Sequence, residues 1–372
     1  MIRRLLLVII VFFLFPAVIC SAEESSEDPL SGYRKEIDSS LSSSVDEQTM
    51  QTLEENGITP ASSDDVGITK ILVNIADRFK ASLFEPLKIL GKLIAVCAFT
   101  VMIKSFTEGT SYEELYDTIS VLANICIIYS SSQLAINSVR TGLEDISAFM
   151  LTYIPVFSGV VASGSAVASA SGYYTVMFVL CELITYISAN LLLPFTGVVF
   201  ALNIVGSING SIDLQGLSSS IKNLTKWILT ALMTVFTAVL SLKGIANAQI
   251  DSVASKTMRF AASSFIPIVG GSVSEAYSAI YGSLGMIKSG VGIFGIGAVA
   301  VITLRPVIAA AAYKLIISIG AVIADLFGQR RVAGLLRGLG GVLDIALGII
   351  IVMAMIFIIS TAVIMLTTMN TV

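Results

Sequence analysis

Long apolar runs dominate the chain from residue 88 onward. A run of about 20 apolar residues is long enough to cross the hydrocarbon core of a membrane as a helix. The pattern therefore predicts an all-α, polytopic membrane domain over residues 86–372, with about eight transmembrane helices. We expect these helices at residues 88–106, 117–137, 173–193, 194–212, 224–243, 286–305, 306–326 and 342–368.

Residues 23–85 follow a different pattern, because they are polar and acidic. Apolar residues four apart between Tyr33 and Leu41 predict a short helix, and a second helix is predicted to end at Asn56-Gly57. From residue 64 to 84, apolar positions recur at helical spacing. This third, amphipathic helix is expected to lie against the membrane or a partner, or else to pack on its own neighbours.

Residues 1–22 have the three parts of a secretory signal peptide. Two arginines form the basic start, an apolar run from Leu5 to Phe15 follows, and Cys20-Ser21-Ala22 resembles a cleavage site. We predict that this segment is cleaved, which places residues 23–85 outside the cytoplasm. An uncleaved first membrane anchor is the alternative.

Two segments, residues 150–171 and 263–285, are less hydrophobic than the predicted spans and rich in Gly, Ser and Ala. Each contains an Ile-Pro step followed by a glycine. The residues are Pro155 and Gly159 in the first segment, and Pro267 and Gly271 in the second. Prolines interrupt helices, and small residues let helices approach closely. We expect both segments to be re-entrant hairpins or full spans, and we regard them as candidate gating elements.

The two segments are related by an offset of 112 residues, and the same offset relates Pro194 to Pro306. We infer a duplication with halves at about residues 115–226 and 227–340, followed by the last span. Pro194 and Pro306 are expected at tight turns or kinks between adjacent spans.

Positive charge suggests how the chain crosses the membrane. The basic residues Arg330, Arg331 and Arg337 are expected in the cytoplasm. Residues 243–262, interpreted as a loop, carry three basic residues and one acid, so they are also expected there. That placement favours re-entrance of the two Gly/Ser-rich segments over full crossing. Each half would then cross three times, giving an inverted-topology repeat.

Composition excludes several classes of protein. Charged residues make up 13% of the chain and hydrophobic residues 55%, so most of it has little polar surface for water. There is no histidine, which removes Ser-His-Asp and Cys-His catalysis and the commonest ligands of catalytic zinc. We find no constellation for catalysis, cofactor or metal binding, and no basic cluster for nucleic acid.

Three ionisable residues, Glu182, Lys314 and Asp344, fall within predicted spans. Such residues are costly in a membrane and are candidates for function. A Glu182–Lys314 pair between the two halves would neutralise both charges. The alternative is that Lys314 extends to the interface and Glu182 faces a wet crevice.

The sequence resembles the stage III sporulation protein AE family over roughly residues 65–368. The motifs that carry the resemblance are Glu85-Pro86-Leu87-Lys88, Ile154-Pro155-Val156-Phe157-Ser158-Gly159, Ser263-Ser264-Phe265-Ile266-Pro267-Ile268-Val269-Gly270, the run from Gly282 to Gly295, Ala333-Gly334-Leu335-Leu336 and Phe357-Ile358-Ile359-Ser360-Thr361-Ala362.

The resemblance implies a non-enzymatic, multi-pass component of the mother-cell membrane around the forespore. It implies as partners the other stage III sporulation A-type proteins, including a secretion-type ATPase, and stage II sporulation protein Q across the intermembrane space. Together they would form a channel or secretion-like complex needed for late forespore gene expression. A self-sufficient secondary transporter that uses Glu182 and Lys314 is the alternative.

Overall fold

The computed structural model describes residues 31–59, 68–107, 113–163, 166–208, 214–265 and 270–369, and these contain no β-strand. Ten α-helices are described: α1 (Ser31–Ser42), α2 (Glu47–Glu55), α3 (Ile68–Ser82), α4 (Phe84–Thr107), α5 (Glu113–Ser163), α6 (Val167–Ile187), α7 (Leu193–Ile208), α8 (Gln215–Phe265), α9 (Gly270–Leu326) and α10 (Arg330–Met369). The all-α class is confirmed for this part of the chain. The signal peptide predicted at 1–22 lies outside the described residues.

The acidic N-terminal region forms the helices that its pattern predicts. α1 and α3 occupy the first and third predicted positions, and α2 ends at Glu55. Beyond it, Gly57 has a φ of 75°, which glycine adopts without strain. The N–H groups of Gly57 and Ile58 donate to the carbonyls of Glu54 and Leu53, both at 2.9 Å. These bonds satisfy carbonyls that the helix end would otherwise leave unpaired.

Six helices in the described part of the chain are long and apolar enough to cross a membrane. They are Ile75–Phe106, Leu115–Ser163, Val167–Ile208, Gln215–Lys243, Leu284–Leu326 and Arg330–Leu366. The expected count of eight is not confirmed, because two pairs of predicted spans each form one helix. One pair lies in α6 and α7, which a π-helical turn connects into one continuous helix. The other pair lies in α9.

Neither Pro194 nor Pro306 ends a helix, so a tight turn at either position is wrong, while the kinks that were the alternative stay a prediction. Pro306 lies inside α9. Pro194 is the second residue of α7 and follows the π-helical turn Ser188–Leu192 directly. A proline removes one backbone hydrogen bond of a helix, and neighbouring helices and local π-type adjustments satisfy the freed groups.

Contacts between the long helices fix their directions. α5, α8 and α10 run one way, and α6–α7 and α9 run the other. The contacts that establish this are Met150–Cys181 and Phe157–Tyr173 for α5 and α6, Asp325–Arg337 and Lys314–Asp344 for α9 and α10, Gly142–Ile350 and Phe149–Phe357 for α5 and α10, and Lys222–Gly338 and Gly348–Leu229 for α8 and α10.

These directions correct the expected repeat. When the residue numbers are shifted by 112, α6–α7 aligns in sequence with α9, and the start of α8 aligns with the start of α10. Each of these helix pairs runs in the same direction, whereas an inverted repeat requires opposite directions. The inverted topology is therefore wrong for these helices. The duplication itself, and the re-entrance of the two segments, stay predictions.

The centre of the bundle is α10. Its most apolar window is 67% buried inside the protein, compared with 17% for the window in α4 and 22% for those in α6–α7 and α8. Apolar residues cover all sides of α10, which is the pattern of a helix surrounded by other helices. The outer helices expose apolar faces to lipid or to partners.

Candidate functional site in the helical bundle

Lys314 and Asp344 form an ion pair inside the bundle. Lys314 Nζ on α9 donates to Asp344 Oδ1 on α10, and the two side chains are only 15% and 19% exposed. Glu182 is exposed on α6, so the expected Glu182–Lys314 pair is wrong. Both partners of the observed pair stood out in the sequence as charges within predicted spans. Their pairing depends on how α9 folds back along α10.

The first Ile-Pro segment does not form a separate hairpin. Residues 150–163 continue α5 without a break, and Pro155 lies inside this helix with an exposed side chain. No described atom lies within 4 Å of the position that a Cβ on Gly159 would take. In the second segment, Pro267 lies outside the described residues, and Gly271 lies in the first turn of α9.

Pro306 is the candidate proline that packs most clearly against another helix. A Cβ atom added to Gly142 of α5 would lie 2.6 Å from Pro306 Cγ and 2.9 Å from Ile350 Cδ1 of α10. Only glycine leaves room for this approach of three helices. Pro194, by contrast, is exposed on α7.

Residues of the first Ile-Pro segment also take part in an aromatic cluster in the core. Tyr153 stacks between Phe149 and Phe157, with ring centroids 5.4 and 5.3 Å away, and all three side chains are buried. Its hydroxyl donates to the carbonyl oxygen of Val291 at 3.1 Å. A Cβ on Gly295 would overlap the Tyr153 ring. The spacing of four between the three aromatic residues was the signal available in the sequence.

A buried polar network connects α4, α5 and the turn between α9 and α10 at the Gln329 end of the bundle. Gln329, in the turn between α9 and α10, donates from Nε2 to the carbonyl oxygen of Cys97 on α4 at 2.8 Å. Its Oε1 accepts a hydrogen bond from Ser120 Oγ on α5 at 3.0 Å. One side chain thus connects three parts of the bundle, and nothing in the sequence pattern distinguishes it. Within the described ranges, no group of three or more Cys, Asp or Glu residues could hold a metal ion.

Six long apolar helices with buried polar links define a polytopic helical membrane protein. The family model for stage III sporulation protein AE matches residues 55–368, and the chain belongs to that family. The resemblance noted in the sequence is therefore confirmed, as are its sporulation and membrane associations.

A similar protein is the stage III sporulation protein AE of Bacillus subtilis (strain 168). It is 24% identical over 245 residues, which cover 65% of this chain and 61% of the relative. The match thus spans about three fifths of that relative's length. No solved structure matches the chain.

Proposed function

We propose that this chain is a non-enzymatic, integral component of a channel or secretion-like complex between mother cell and forespore, needed for late forespore gene expression. The proposal starts from family membership over residues 55–368, a range that contains all six long apolar helices. The observation that carries it is an exposed aromatic face of α6 at a level where the polar helix α2 packs on the bundle.

The polar helix α2 marks that level. A Cβ on Gly297 of α9 would lie 3.2 Å from Leu53 Cδ2, and Arg305 Nη1 lies 3.4 Å from Gln48 Oε1. α2 also carries glutamates on its exposed side, which hydrocarbon would not solvate. This level of the bundle therefore belongs in water or in the headgroup region.

The hydrocarbon core fits below that level. Asp325 follows Arg305 by 20 residues on α9, a rise of about 30 Å, which matches the thickness of the core. Arg330 and Arg331 follow immediately, as expected for a cytoplasmic end. We propose this position for the membrane, and with it an N-terminal region that lies outside the cytoplasm, in the intermembrane space.

The exposed face of α6 then projects beyond the membrane. Tyr174, Phe178 and Tyr186 lie four or eight residues apart with Glu182 between them, and all four are exposed. Through the antiparallel α5 this stretch is level with α9 around residues 291–303, where α2 packs. An aromatic patch surrounded by water is typical of a protein interface. We assign this face to another protein of the complex.

The partners proposed are the other stage III sporulation A-type proteins, including a secretion-type ATPase that supplies energy, and stage II sporulation protein Q. They would meet the chain in the mother-cell membrane around the forespore and in the intermembrane space. Glu182 would pair with a basic residue or hydrogen-bond donor of a partner, because an exposed acid in an aromatic face is stable in an interface only when paired.

Thiol labelling tests the membrane position. Phe178→Cys and Trp227→Cys are compared in a chain whose native cysteines are serine, expressed alone in a host without partners. Both positions are exposed, but Trp227 on α8 lies beside the part of α10 that packs on α9 between Arg305 and Asp325. A membrane-impermeant maleimide should label position 178 and not 227. Equal labelling would overturn this placement.

Co-purification from sporulating cells tests the function. Phe178→Arg should lose the other assembly proteins and late forespore reporter expression at a normal protein level. Phe178→Leu, which keeps an apolar surface, should retain both. Full activity of Phe178→Arg, or sporulation without the gene, would refute the assignment.

A secondary transporter remains the second candidate, because the Lys314–Asp344 pair lies midway between Arg305 and Asp325, the depth at which transporters bind substrates. A transporter should lose function with Lys314→Met and with Asp344→Asn, and also with both together. A structural component should recover when the two neutral residues are combined, because no unpaired charge is then left.

A further inference from the structure

Two rows of exposed apolar side chains lie on the last part of α4 and the first part of α5. Each row consists of three large side chains on one face of its helix, at the spacing of three or four residues that a helical face shows. The α4 row is Phe99, Met102 and Phe106, and the α5 row is Leu115, Ile119 and Leu122, with exposed fractions between 45% and 81%. The inference drawn from them uses the proposed membrane position and none of the proposed partners.

The two rows lie at the same heights along the bundle. Lys104 Nζ on α4 donates to Asp117 Oδ1 on α5 at 3.0 Å. Cys97 Sγ, seven residues earlier on α4, lies 4.0 Å from Oδ1 of Asn124, seven residues later on α5. The two helices are therefore antiparallel and keep one register. That register defines three shared levels, which are Phe99 with Leu122, Met102 with Ile119, and Phe106 with Leu115.

The two rows point away from each other. Met102 and Phe106 lie two residues before and two residues after Lys104, which forms the ion pair with α5. Two residues turn a helix by about 200°, so these side chains point to the side of α4 opposite α5. Leu115 and Ile119 have the same relation to Asp117, so they point away from α4. The chain thus carries two apolar surfaces on different sides at equal heights.

The rows lie beyond the end of α9. A Cβ on Gly320 would lie 3.3 Å from Leu93 Cδ1, and Gln329 donates to the carbonyl oxygen of Cys97. α4 therefore runs in the same direction as α9 and reaches the level of Gln329 at Cys97. The ten residues that follow, up to Thr107, rise about 15 Å further.

This level is outside the proposed hydrocarbon core, which ends at Asp325. The Lys104–Asp117 ion pair lies in the same stretch, and ionised side chains are poorly solvated by hydrocarbon. The rows then project on the cytoplasmic side of the membrane. Large apolar side chains that are exposed together in water are typical of a protein interface.

A second copy of this chain fits both rows at once. Copies arranged around an axis along the membrane normal keep every residue at its own height, so only surfaces at equal heights can meet. The two rows meet this condition at three levels. A different protein bound to one row would leave the other uncovered.

We propose that the α4 row of one copy packs on the α5 row of the next copy. Because the two surfaces differ and lie on different sides, the contact is head-to-tail, and such contacts generate a ring when the rotation closes. The kind of partner assigned to this surface is therefore another copy of the same chain.

Thiol cross-linking of the full chain provides the test. Met102→Cys and Ile119→Cys are placed in separate, differently tagged chains whose native cysteines are serine, and these are co-expressed in a host without the proposed partners. A disulfide requires Cα atoms within about 7 Å, so it reports a specific contact. We expect at least ten times more cross-linked dimer from the mixture than from either variant alone. A two-fold contact would instead link position 102 to position 102, and this result would overturn the proposal.

Matched variants separate a specific contact from collision. Leu134→Cys replaces Ile119→Cys in the control, because Leu134 is also exposed on α5 but lies 15 residues away. It should give no cross-link with position 102. Phe106→Glu should reduce the cross-link between positions 102 and 119 at least tenfold, whereas Phe106→Leu should retain it. Phe106 is 81% exposed, so neither change disturbs the core.

The ring has a test of its own. A chain that carries both Met102→Cys and Ile119→Cys should give a ladder of cross-linked species that ends at one size. A ladder without an upper limit would overturn the ring.

Other occupants give different results. In nanodiscs that hold one copy, a water-soluble maleimide should label position 102, and protection there would assign the row to lipid and overturn the proposal. Cross-linking of position 102 to another protein in sporulating cells, in place of a second copy, would also overturn it. Because the cross-links are measured without the proposed partners, their absence would refute the ring and leave the co-purification test of the proposed function unaffected.

Discussion

Replacing Gly142 by alanine adds one methyl group at the point where α5, α9 and α10 meet. The new Cβ would lie 2.6 Å from Pro306 Cγ and 2.9 Å from Ile350 Cδ1. Carbon atoms pack best at about 3.5–4.0 Å, so the Pro306 ring would have to move by roughly 1 Å. A proline ring is closed on its own backbone and cannot rotate away. The strain therefore falls on the packing of the helices.

The magnitude follows from two opposing effects. Over-packing a core costs about 1–3 kcal/mol, and exchanging glycine for alanine in a helix returns about 0.5–1 kcal/mol. We expect a net loss of roughly 1–2 kcal/mol, and a melting temperature lower by about 1–3 °C for a chain of this length. Gly159→Ala in the same helix is the matched control, because no described atom lies within 4 Å of its Cβ position. The control should be neutral or slightly stabilising.

The native cysteines provide the assay. Cys97 and Cys181 are buried, whereas Cys126 is exposed and is replaced by serine. A thiol-reactive dye then reports unfolding of the detergent-purified protein as the two buried thiols become accessible. Adding Pro306→Ala to Gly142→Ala should restore part of the loss, because it removes the closest atom. A Gly142→Ala protein as stable as Gly159→Ala would refute the reasoning.

Two further predictions use the same assay. Lys314→Met or Asp344→Asn alone should destabilise the protein by roughly 3 kcal/mol, because each change leaves a buried charge without its partner. The double variant should be destabilised less. A double variant less stable than either single variant would contradict the pairing. Gly328→Ala should destabilise by about 1–2 kcal/mol, because Gly328 has a φ of 72°. Gly334→Ala, with open space at its Cβ position, should not destabilise, and equal effects of the two changes would contradict this account.

Helix content and local helix ends could be predicted from the sequence because their causes are local. Apolar runs of span length became long helices, and Asn56-Gly57 ends α2 as expected. No tight turn forms at Pro194 or Pro306, since neighbouring helices and local π-type adjustments satisfy the backbone groups that a proline frees, and the helix continues where an isolated helix would end. The pairing of Lys314 with Asp344 depends on the antiparallel packing of α9 and α10, which a single sequence does not specify.

Residues 243–262 do not form the loop whose basic residues were expected in the cytoplasm. The charge-based support for re-entrance is therefore lost, and re-entrance stays a prediction. These residues belong to α8, which continues from Gln215 to Phe265. The positive-inside rule applies to short loops at span ends, and it loses its force in the middle of a 51-residue helix. The charges there are compatible with a helix that extends beyond the membrane.

The described parts of the two Ile-Pro segments lie at the same end of the bundle, which the sequence did not indicate. α5 and α8 run in the same direction, so the end of α5 at Ser163 and the end of α8 at Phe265 both lie at the end of the bundle away from Gly328. From Gly270 to Arg305, α9 rises about 50 Å. With the proposed membrane between Arg305 and Asp325, the described parts of both segments would lie deep in the intermembrane space and not in lipid. They would then act as gating elements only through contact with partners on that side. Labelling of Ser158→Cys by an impermeant maleimide in the absence of partners supports this position, and protection by lipid alone would return the segments to the membrane.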